Sequence, residues 1–91
     1  MKVQYSTQFA KDARKLPQNI KTVVKELVIK LEKVQTIFEI RDCKPLTGVK
    51  NGYRIRRGDY RITLSLIIQD NVVILLRVLQ RGQIYKKNTN K

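Results

Sequence analysis

Three strand-like segments separated by two-residue turns make up most of the second half of the chain. The segments are 53–57, 60–69 and 72–81, and the turns between them are Gly58-Asp59 and Asp70-Asn71. Gly, Asp and Asn favour such tight hairpin turns because they tolerate the positive φ that one or both turn positions require. The spacing therefore predicts a three-stranded antiparallel meander.

The first half of the chain changes from a strand period to a helix period. The alternating stretch 2–5 predicts a short strand, and Ser6 stands where a helix N-cap is expected. Pro17 then separates two stretches with helical spacing, so we expect a helical hairpin whose first helix ends at this proline. The apolar positions of the two stretches are Phe9, Ala13 and Leu16, followed by Ile20, Val23, Val24, Leu27, Val28, Leu31 and Val34.

The apolar runs 64–68 and 72–76 leave no polar face on either strand. Because such strands need cover on both sides, the helices should pack on one face of the sheet. The sequence predicts an α+β fold: an N-terminal strand and a two-helix hairpin packed on a mainly antiparallel sheet of about four strands. The stretch 35–52 has no periodicity and is expected to be a long connection. We expect one domain over residues 1–86 and a basic, disordered tail at 87–91.

Charge and residue types exclude several classes of function. Twenty Lys and Arg against seven Asp and Glu give a net charge of +13, which calls for a polyanion or an acidic protein as partner. The chain has no histidine and one cysteine, Cys43, so an imidazole base and a thiolate–imidazole zinc site are excluded. We expect no metal or cofactor. The longest uncharged apolar run, 72–76, is far below the roughly 20 residues that span a bilayer, and a lone thiol suits a reducing compartment, so we expect a cytoplasmic protein.

Arginines converge on the first predicted hairpin. A two-residue turn places Arg56 opposite Arg61 and Arg54 opposite Thr63, so like charges face each other. Such a pair destabilises a sheet unless an anion lies between the charges, and phosphate matches the guanidinium donors. Bases interleaved with tyrosines are typical of an RNA-binding surface. The residues of this kind are Lys50, Tyr53, Arg54, Arg56, Arg57, Tyr60 and Arg61.

The register of the second hairpin remains open at this level. If Asp70-Asn71 is the whole turn, Arg61 lies opposite Gln80 and Arg81 points to the other face. One extra loop residue or a bulge places Arg61 opposite Arg81 instead. The hydrophobic pattern does not distinguish these registers. We favour the register that places Arg61 opposite Arg81, because it brings the positive charges together.

Arg77 lies inside an otherwise apolar strand, and we expect a structural role for it. Its aliphatic stem should pack in the core while its guanidinium reaches an edge or pairs with a carboxylate such as Asp59 or Asp42.

Three motifs follow one another along the chain: Pro45-Leu46-Thr47-Gly48, then residues 52–62 around the Gly-Asp-Tyr-Arg turn, then Leu76-Arg77-Val78-Leu79-Gln80-Arg81 with Ile84-Tyr85. Together with the order of strand, helical hairpin and antiparallel sheet over residues 1–86, they resemble the RelE/ParE superfamily of type II toxin–antitoxin toxins. The RelE branch is similar in carrying basic residues on the strand before the turn.

The resemblance implies an activity and roles for individual residues. RelE-like toxins cleave mRNA on the ribosome through attack of a 2′-hydroxyl on the adjacent phosphate. Because Glu39, Asp42, Asp59 and Asp70 form no carboxylate cluster in the sequence, we expect the reaction to need no metal. The resemblance implies that Arg54 and Arg56 stand near the attacking hydroxyl, that Arg61 stabilises the transition state, that Arg81 lies near the leaving oxygen and that Tyr85 orients or stacks the substrate. It also implies the ribosome, mRNA and an antitoxin with acidic or amphipathic helices as partners.

Two other functions stay open. The sequence Gln80-Arg81-Gly82-Gln83 stands where many relatives have a His-Arg-Arg run, so a histidine general acid is absent. The ParE branch resembles the same fold but inhibits DNA gyrase by protein contact, which needs no catalytic arginine. A non-catalytic RNA-binding module is the third possibility.

Overall fold

The computed structural model describes residues 1–81, and within them one strand is followed by two helices and then by four further strands. The predicted tail at 87–91, the end of the predicted domain and Tyr85 lie outside the described residues. The elements are β1 (Lys2–Tyr5), α1 (Thr7–Arg14), α2 (Gln18–Lys33), β2 (Cys43–Pro45), β3 (Gly52–Arg57), β4 (Tyr60–Ile67) and β5 (Val72–Gln80), with 3₁₀ turns at Ile37–Glu39 and Ile68–Asp70.

Ser6 joins β1 to α1 and fixes both to the sheet. Its hydroxyl accepts a hydrogen bond from the Phe9 N–H at 3.0 Å and donates one to the Leu76 carbonyl at 2.9 Å. The predicted N-cap is therefore confirmed. Helix α1 ends at Arg14, earlier than the proline predicted to end it, and Pro17 is the N-cap of α2.

The five strands form one sheet in the order β1-β5-β4-β3-β2. Strand β1 pairs parallel to β5 and the other neighbours are antiparallel. The α+β class is confirmed, but the expected number of about four strands is wrong. The missing strand is β2, which has three residues including Pro45, too few for a period to be visible. The connection predicted over 35–52 also contributes Ile37 and Ile40 to the core.

The core lies between the two helices and one face of the sheet. Phe9 of α1 and Val24, Leu27 and Leu31 of α2 pack against that face. Seven side chains are almost completely buried: Leu31, Ile55, Ile62, Leu64, Val73, Leu75 and Val78. Each such burial contributes roughly 1.5 to 3 kcal/mol relative to exposure, so this single layer carries most of the apolar stabilisation. Within residues 1–81 no helix is both long and apolar enough to cross a membrane.

The β3–β4 hairpin has the predicted register. Arg56 lies opposite Arg61 and Arg54 opposite Thr63. Gly58 occupies the first turn position with φ +58°, a conformation that costs glycine little.

The β4–β5 hairpin has neither predicted register. Its loop is four residues long, 68–71, with Asn71 at φ +55°, and a bulge follows at Thr63/Leu64. Arg61 therefore lies opposite Leu79 and not opposite Gln80 or Arg81. Arg81 comes directly after the last residue of β5, Gln80, and lines the same cavity as Arg61. Arg61 and Arg81 therefore lie close together, which is the arrangement for which the second register was favoured, although the register itself is different.

Candidate functional site

Six cationic side chains project from the sheet face opposite the helices, which we call the basic face. Five lie on strands, Lys44, Arg54, Arg56, Arg61 and Arg77, and the sixth, Arg81, directly follows β5 and lines the same cavity as three of them. These residues alternate along the strands with buried core residues such as Ile55, Ile62 and Val78, so strand geometry directs them away from the helices.

Pairing arranges the basic face in two rows that run across the sheet. In the first row Lys44 lies opposite Arg54, Arg54 opposite Thr63 and Thr63 opposite Arg77. The second row consists of Arg56, Arg61 and Leu79, which lie opposite one another in that order. Four strands thus contribute to one cationic surface.

Two adjoining cavities open on this face. The larger, which we call the basic cavity, has a volume of about 220 Å³ and is lined by Leu46, Arg54, Arg61, Thr63, Arg77, Leu79 and Arg81. The smaller, of about 70 Å³, is lined by Asp42, Lys44, Arg54, Arg56 and Arg61. Arg54 and Arg61 line both cavities, so a ligand in one lies next to the other.

Three of these arginines have guanidinium groups that no side chain of residues 1–81 neutralises. Among residues 1–81, Arg54, Arg56 and Arg61 make no side-chain hydrogen bond and no ion pair within 4 Å. Asp42 lines the smaller cavity, but its ion pair is with Arg41 at 3.9 Å, and both side chains are exposed. Such a cluster attracts anions, and planar guanidinium groups bind phosphate oxygens two at a time.

Arg77 differs from these three because α1 holds it. Its Nε donates to Asp12 Oδ2 at 2.7 Å and its Nη2 to Asp12 Oδ1 at 3.2 Å. The Val78 N–H also donates to Asp12 Oδ2, at 3.1 Å, so Asp12 closes the edge of β5 beyond the end of β1. The expected carboxylate partner of Arg77 is present, but it is Asp12 and neither Asp59 nor Asp42.

This ion pair shifts the pKa of both partners. Burial alone raises the pKa of Asp12, but hydrogen bonds from Arg77, Gln8 and the Val78 N–H outweigh it and hold the pKa below its usual value. The hydrogen bonds to Asp12 raise the pKa of Arg77 further. Both groups are therefore firmly charged at neutral pH.

The structure brings together only part of the residue set that the sequence singled out. Arg54, Arg56, Arg61 and Arg81 share the basic face, whereas Tyr53 and Arg57 lie on the helix side of β3. The Arg57 Nη1 donates to the carbonyls of Arg41 and Arg56, each at 2.8 Å, and burial lowers the pKa of this guanidinium.

The remaining predicted residues lie elsewhere. Tyr53 packs edge-to-face on Phe38, with ring centroids 6.3 Å apart. Lys50 is exposed in the turn before β3 and lines neither cavity, and Tyr85 is outside the described residues. Within residues 1–81, strand alternation places Tyr53 on the helix side of β3, away from Arg54, Arg56 and Arg61 on the basic face.

Six residues that line the two cavities were not among the predicted site residues: Asp42, Lys44, Leu46, Thr63, Arg77 and Leu79. Three of them lie in or beside β2, which has no recognisable period. Thr63 could have been included, since its position opposite Arg54 was predicted correctly.

The arrangement can bind a phosphodiester and stabilise negative charge that develops on it. Within the described part of the chain, no group of three or more Cys, Asp or Glu side chains is placed to hold a metal ion.

Fold and site together define a small α+β protein with a helical hairpin on one sheet face and a cationic cluster on the other. The family model described as "ParE toxin of type II toxin-antitoxin system, parDE" matches residues 3–85. Toxin RelE3 of Methanocaldococcus jannaschii is 33% identical over 86 residues, which cover 93% of this chain and 96% of the relative. The chain belongs to the RelE/ParE superfamily of type II toxin–antitoxin toxins.

Solved structures of the same family have the same fold. The RelB-RelE antitoxin-toxin complex from Methanococcus jannaschii contains a chain that matches with a TM-score of 0.81 and 28% identity, over 92% of this chain and 96% of that one. The archaeal RelE-RelB complex from Pyrococcus horikoshii OT3 matches with a TM-score of 0.74 and 30% identity, over 89% and 94% of the two chains.

Proposed function

We propose that this toxin is a ribosome-dependent endoribonuclease that cleaves mRNA without a metal. The observation that carries the proposal is the basic face, where Arg54, Arg56 and Arg61 have no acceptor within residues 1–81. Opposed arginines without counter-charges are costly in a sheet, and a bound phosphodiester removes that cost.

The proposed reaction is a transesterification within the RNA. The 2′-hydroxyl attacks the adjacent phosphorus, the bond to the 5′-oxygen breaks, and a 2′,3′-cyclic phosphate and a 5′-hydroxyl result. The hydroxyl proton leaves to solvent and the leaving oxygen takes a proton from solvent, so no histidine is needed. The nucleophile is already tethered to its target, and most of the acceleration comes from alignment and charge stabilisation.

Arginines of the basic face have proposed roles in this reaction. Arg56 and Arg61, opposed across the hairpin, bind the non-bridging oxygens of the reacting phosphate, and Arg61 stabilises the charge of the transition state. Arg54 lies beside the attacking hydroxyl and Arg81 beside the leaving oxygen. Tyr85 aligns a base, and the exposed Lys50 contacts RNA outside the cavity, whereas Tyr53 and Arg57 lie on the other side of the sheet and have no proposed contact with RNA.

We further propose a cognate antitoxin as the controlling partner. Two of the similar structures are complexes of a toxin with an antitoxin. A net charge of +13 favours a partner with acidic or amphipathic helices, because attraction steers association and relieves self-repulsion. One cationic surface can therefore serve both RNA and antitoxin.

The decisive experiment is the Arg61→Ala variant in a cell-free translation system. Loss of one charge-stabilising contact should lower the rate of mRNA cleavage about 10²- to 10³-fold while the fold is kept. The matched control is Arg14→Ala, which removes an exposed arginine of α1 and should leave cleavage unchanged. An unaltered cleavage pattern in the Arg61→Ala variant contradicts the proposal.

Inhibition of DNA gyrase by protein contact is the second candidate, and the match to the ParE family model favours it. A supercoiling assay with purified gyrase separates the two functions. The ribonuclease predicts no inhibition of supercoiling, whereas a gyrase inhibitor predicts strong inhibition and no mRNA cleavage.

A further inference from the structure

Arg77 and Thr63 line the basic cavity but have no role in the reaction proposed above. Together with Arg54 they form one row across three neighbouring strands. Adjacent strands lie about 4.8 Å apart, so the Cα atoms of Arg54 and Arg77 are roughly 10 Å from each other with Thr63 between them. Two guanidinium groups at this separation can both reach an anion that lies above the threonine hydroxyl.

Asp12 holds the Arg77 guanidinium and leaves part of it available. A guanidinium has five N–H donors, and Asp12 accepts from one at Nε and one at Nη2. The other three have no acceptor within residues 1–81, and the Arg77 side chain is 34% exposed whereas that of Asp12 is 9% exposed. The buried carboxylate thus fixes the orientation of Arg77 without using up its capacity to donate.

The Thr63 hydroxyl adds a neutral donor to the same row. Its side chain is half-buried on the wall of the cavity and makes no hydrogen bond with other residues of the described part. A hydroxyl between two guanidinium groups can donate to a phosphate oxygen that neither arginine contacts.

This row is distinct from the row that holds Arg56 and Arg61. The two rows are two residues apart along β4, which corresponds to about 6.8 Å. At this separation two successive phosphates of an extended strand can occupy one row each.

We propose that Arg77, oriented by Asp12, forms with Thr63 and Arg54 a second phosphate subsite for single-stranded RNA, next to the reacting phosphate. The inference rests on the proposed ribonuclease function and adds Arg77 and Thr63 as binding residues and Asp12 as a positioning residue. Since the subsite contacts only the RNA backbone, it contributes affinity and not base specificity.

The test measures binding separately from cleavage. Fluorescence anisotropy is recorded for the full chain with a labelled 2′-O-methyl hexaribonucleotide, which cannot react because its 2′-oxygens are blocked. Arg77→Gln should weaken binding about tenfold at low salt, and the slope of log affinity against log salt should become shallower by about 0.7, as for one lost phosphate contact. Thr63→Val should weaken binding by a smaller factor. The control Lys30→Gln, on α2, removes the same charge and should change affinity little.

A double variant distinguishes RNA binding by Arg77 from a purely structural role of the Arg77–Asp12 ion pair. Asp12→Asn alone leaves Arg77 without its carboxylate, whereas Asp12→Asn with Arg77→Gln replaces the ion pair by two neutral amides and should recover part of the lost stability. Under the proposal RNA binding stays weak in the double variant even as its stability recovers. Recovery of RNA affinity together with stability overturns the subsite, as does parent-like affinity in Arg77→Gln or absence of RNA binding by the parent chain.

This result can be read independently of the ribonuclease proposal. If Arg61→Ala abolishes mRNA cleavage while Arg77→Gln binds RNA like the parent, only the subsite is wrong. If the parent does not cleave mRNA but Arg77→Gln shows the expected loss, the subsite stands and the chemistry is wrong.

Discussion

Arg56 and Arg61 face each other across the β3–β4 hairpin, and neither guanidinium has an acceptor among residues 1–81. Directly opposed like charges on a sheet are unfavourable by up to about 1 kcal/mol. A sequence selected for stability alone would place a threonine or an acidic residue at one of these positions. The free toxin is therefore less stable at this point than the same fold needs to be, and the RNA phosphate of the proposed function would supply the missing interaction.

The contrast between this pair and the Arg77–Asp12 pair also shows what a sequence can and cannot reveal about individual contacts. The Arg56–Arg61 contact follows from a two-residue turn, because local spacing sets the register. Arg77 and Asp12 are 65 positions apart and belong to different layers, so their contact depends on where α1 meets the edge of β5. No local rule specifies that position.

The lowered pKa of the Asp12 carboxylate predicts how the free energy of unfolding depends on pH. Its pKa is lower in the folded than in the unfolded chain, so its stabilising contribution is complete above about pH 5 and is lost as the pH falls through the folded pKa. Asp12→Asn should lower the free energy of unfolding by about 2 kcal/mol at pH 7. Urea unfolding from pH 7 to pH 3 should show parent and variant converging at the acidic end. A constant difference over this range contradicts the assignment.

At the scale of elements, the strongly periodic segments were predicted well and the short or ambiguous ones were not. Strand β1, both helices and the three strands of the meander appear where their periods place them. Strand β2 was missed because three residues with a proline carry no period. The β4–β5 register was missed because both strands are apolar on both faces, so a shift by one residue has no visible cost in the sequence.

The turn between β2 and β3, residues 46–51, brings Leu46 to the basic cavity. The turn can pack closely on the start of β3 because residue 52 is a glycine. A Cβ at Gly52 would lie 2.6 Å from Val49 Cγ1 and 3.0 Å from Val49 Cβ, so the turn must move to admit it. Gly52→Ala should cost about 1 to 3 kcal/mol in urea unfolding and should also weaken RNA binding, because Leu46 moves with the turn.

Gly48 in the same turn provides the matched control. It has φ +79° and open space around its Cα, so Gly48→Ala introduces backbone strain of about 1 to 2 kcal/mol without a clash. This variant should lose stability but keep its RNA affinity. Equal RNA affinities in the two variants, measured below their unfolding transitions, would show that Leu46 does not depend on the position of the turn.

At the scale of the whole molecule, the excess of positive charge acts in opposite directions on folding and on binding. The 20 basic and seven acidic residues repel one another on balance in the folded chain, and salt screens that repulsion over a Debye length of about 10 Å at 0.1 M. Raising NaCl from 50 to 200 mM should therefore increase the urea midpoint of the free toxin. The same change should weaken RNA binding, because salt competes for the phosphates.

The loss of RNA affinity as salt increases tests how many phosphates the basic face binds. Three phosphate contacts predict a slope of about −2 in log affinity against log salt, or roughly a 20-fold loss over this fourfold change in concentration. Anisotropy and urea titrations at the same two concentrations measure both responses on one sample of the protein. If the urea midpoint falls with salt as RNA affinity does, attraction within the folded protein outweighs its self-repulsion. The excess charge is then balanced inside the fold and not reserved for a partner.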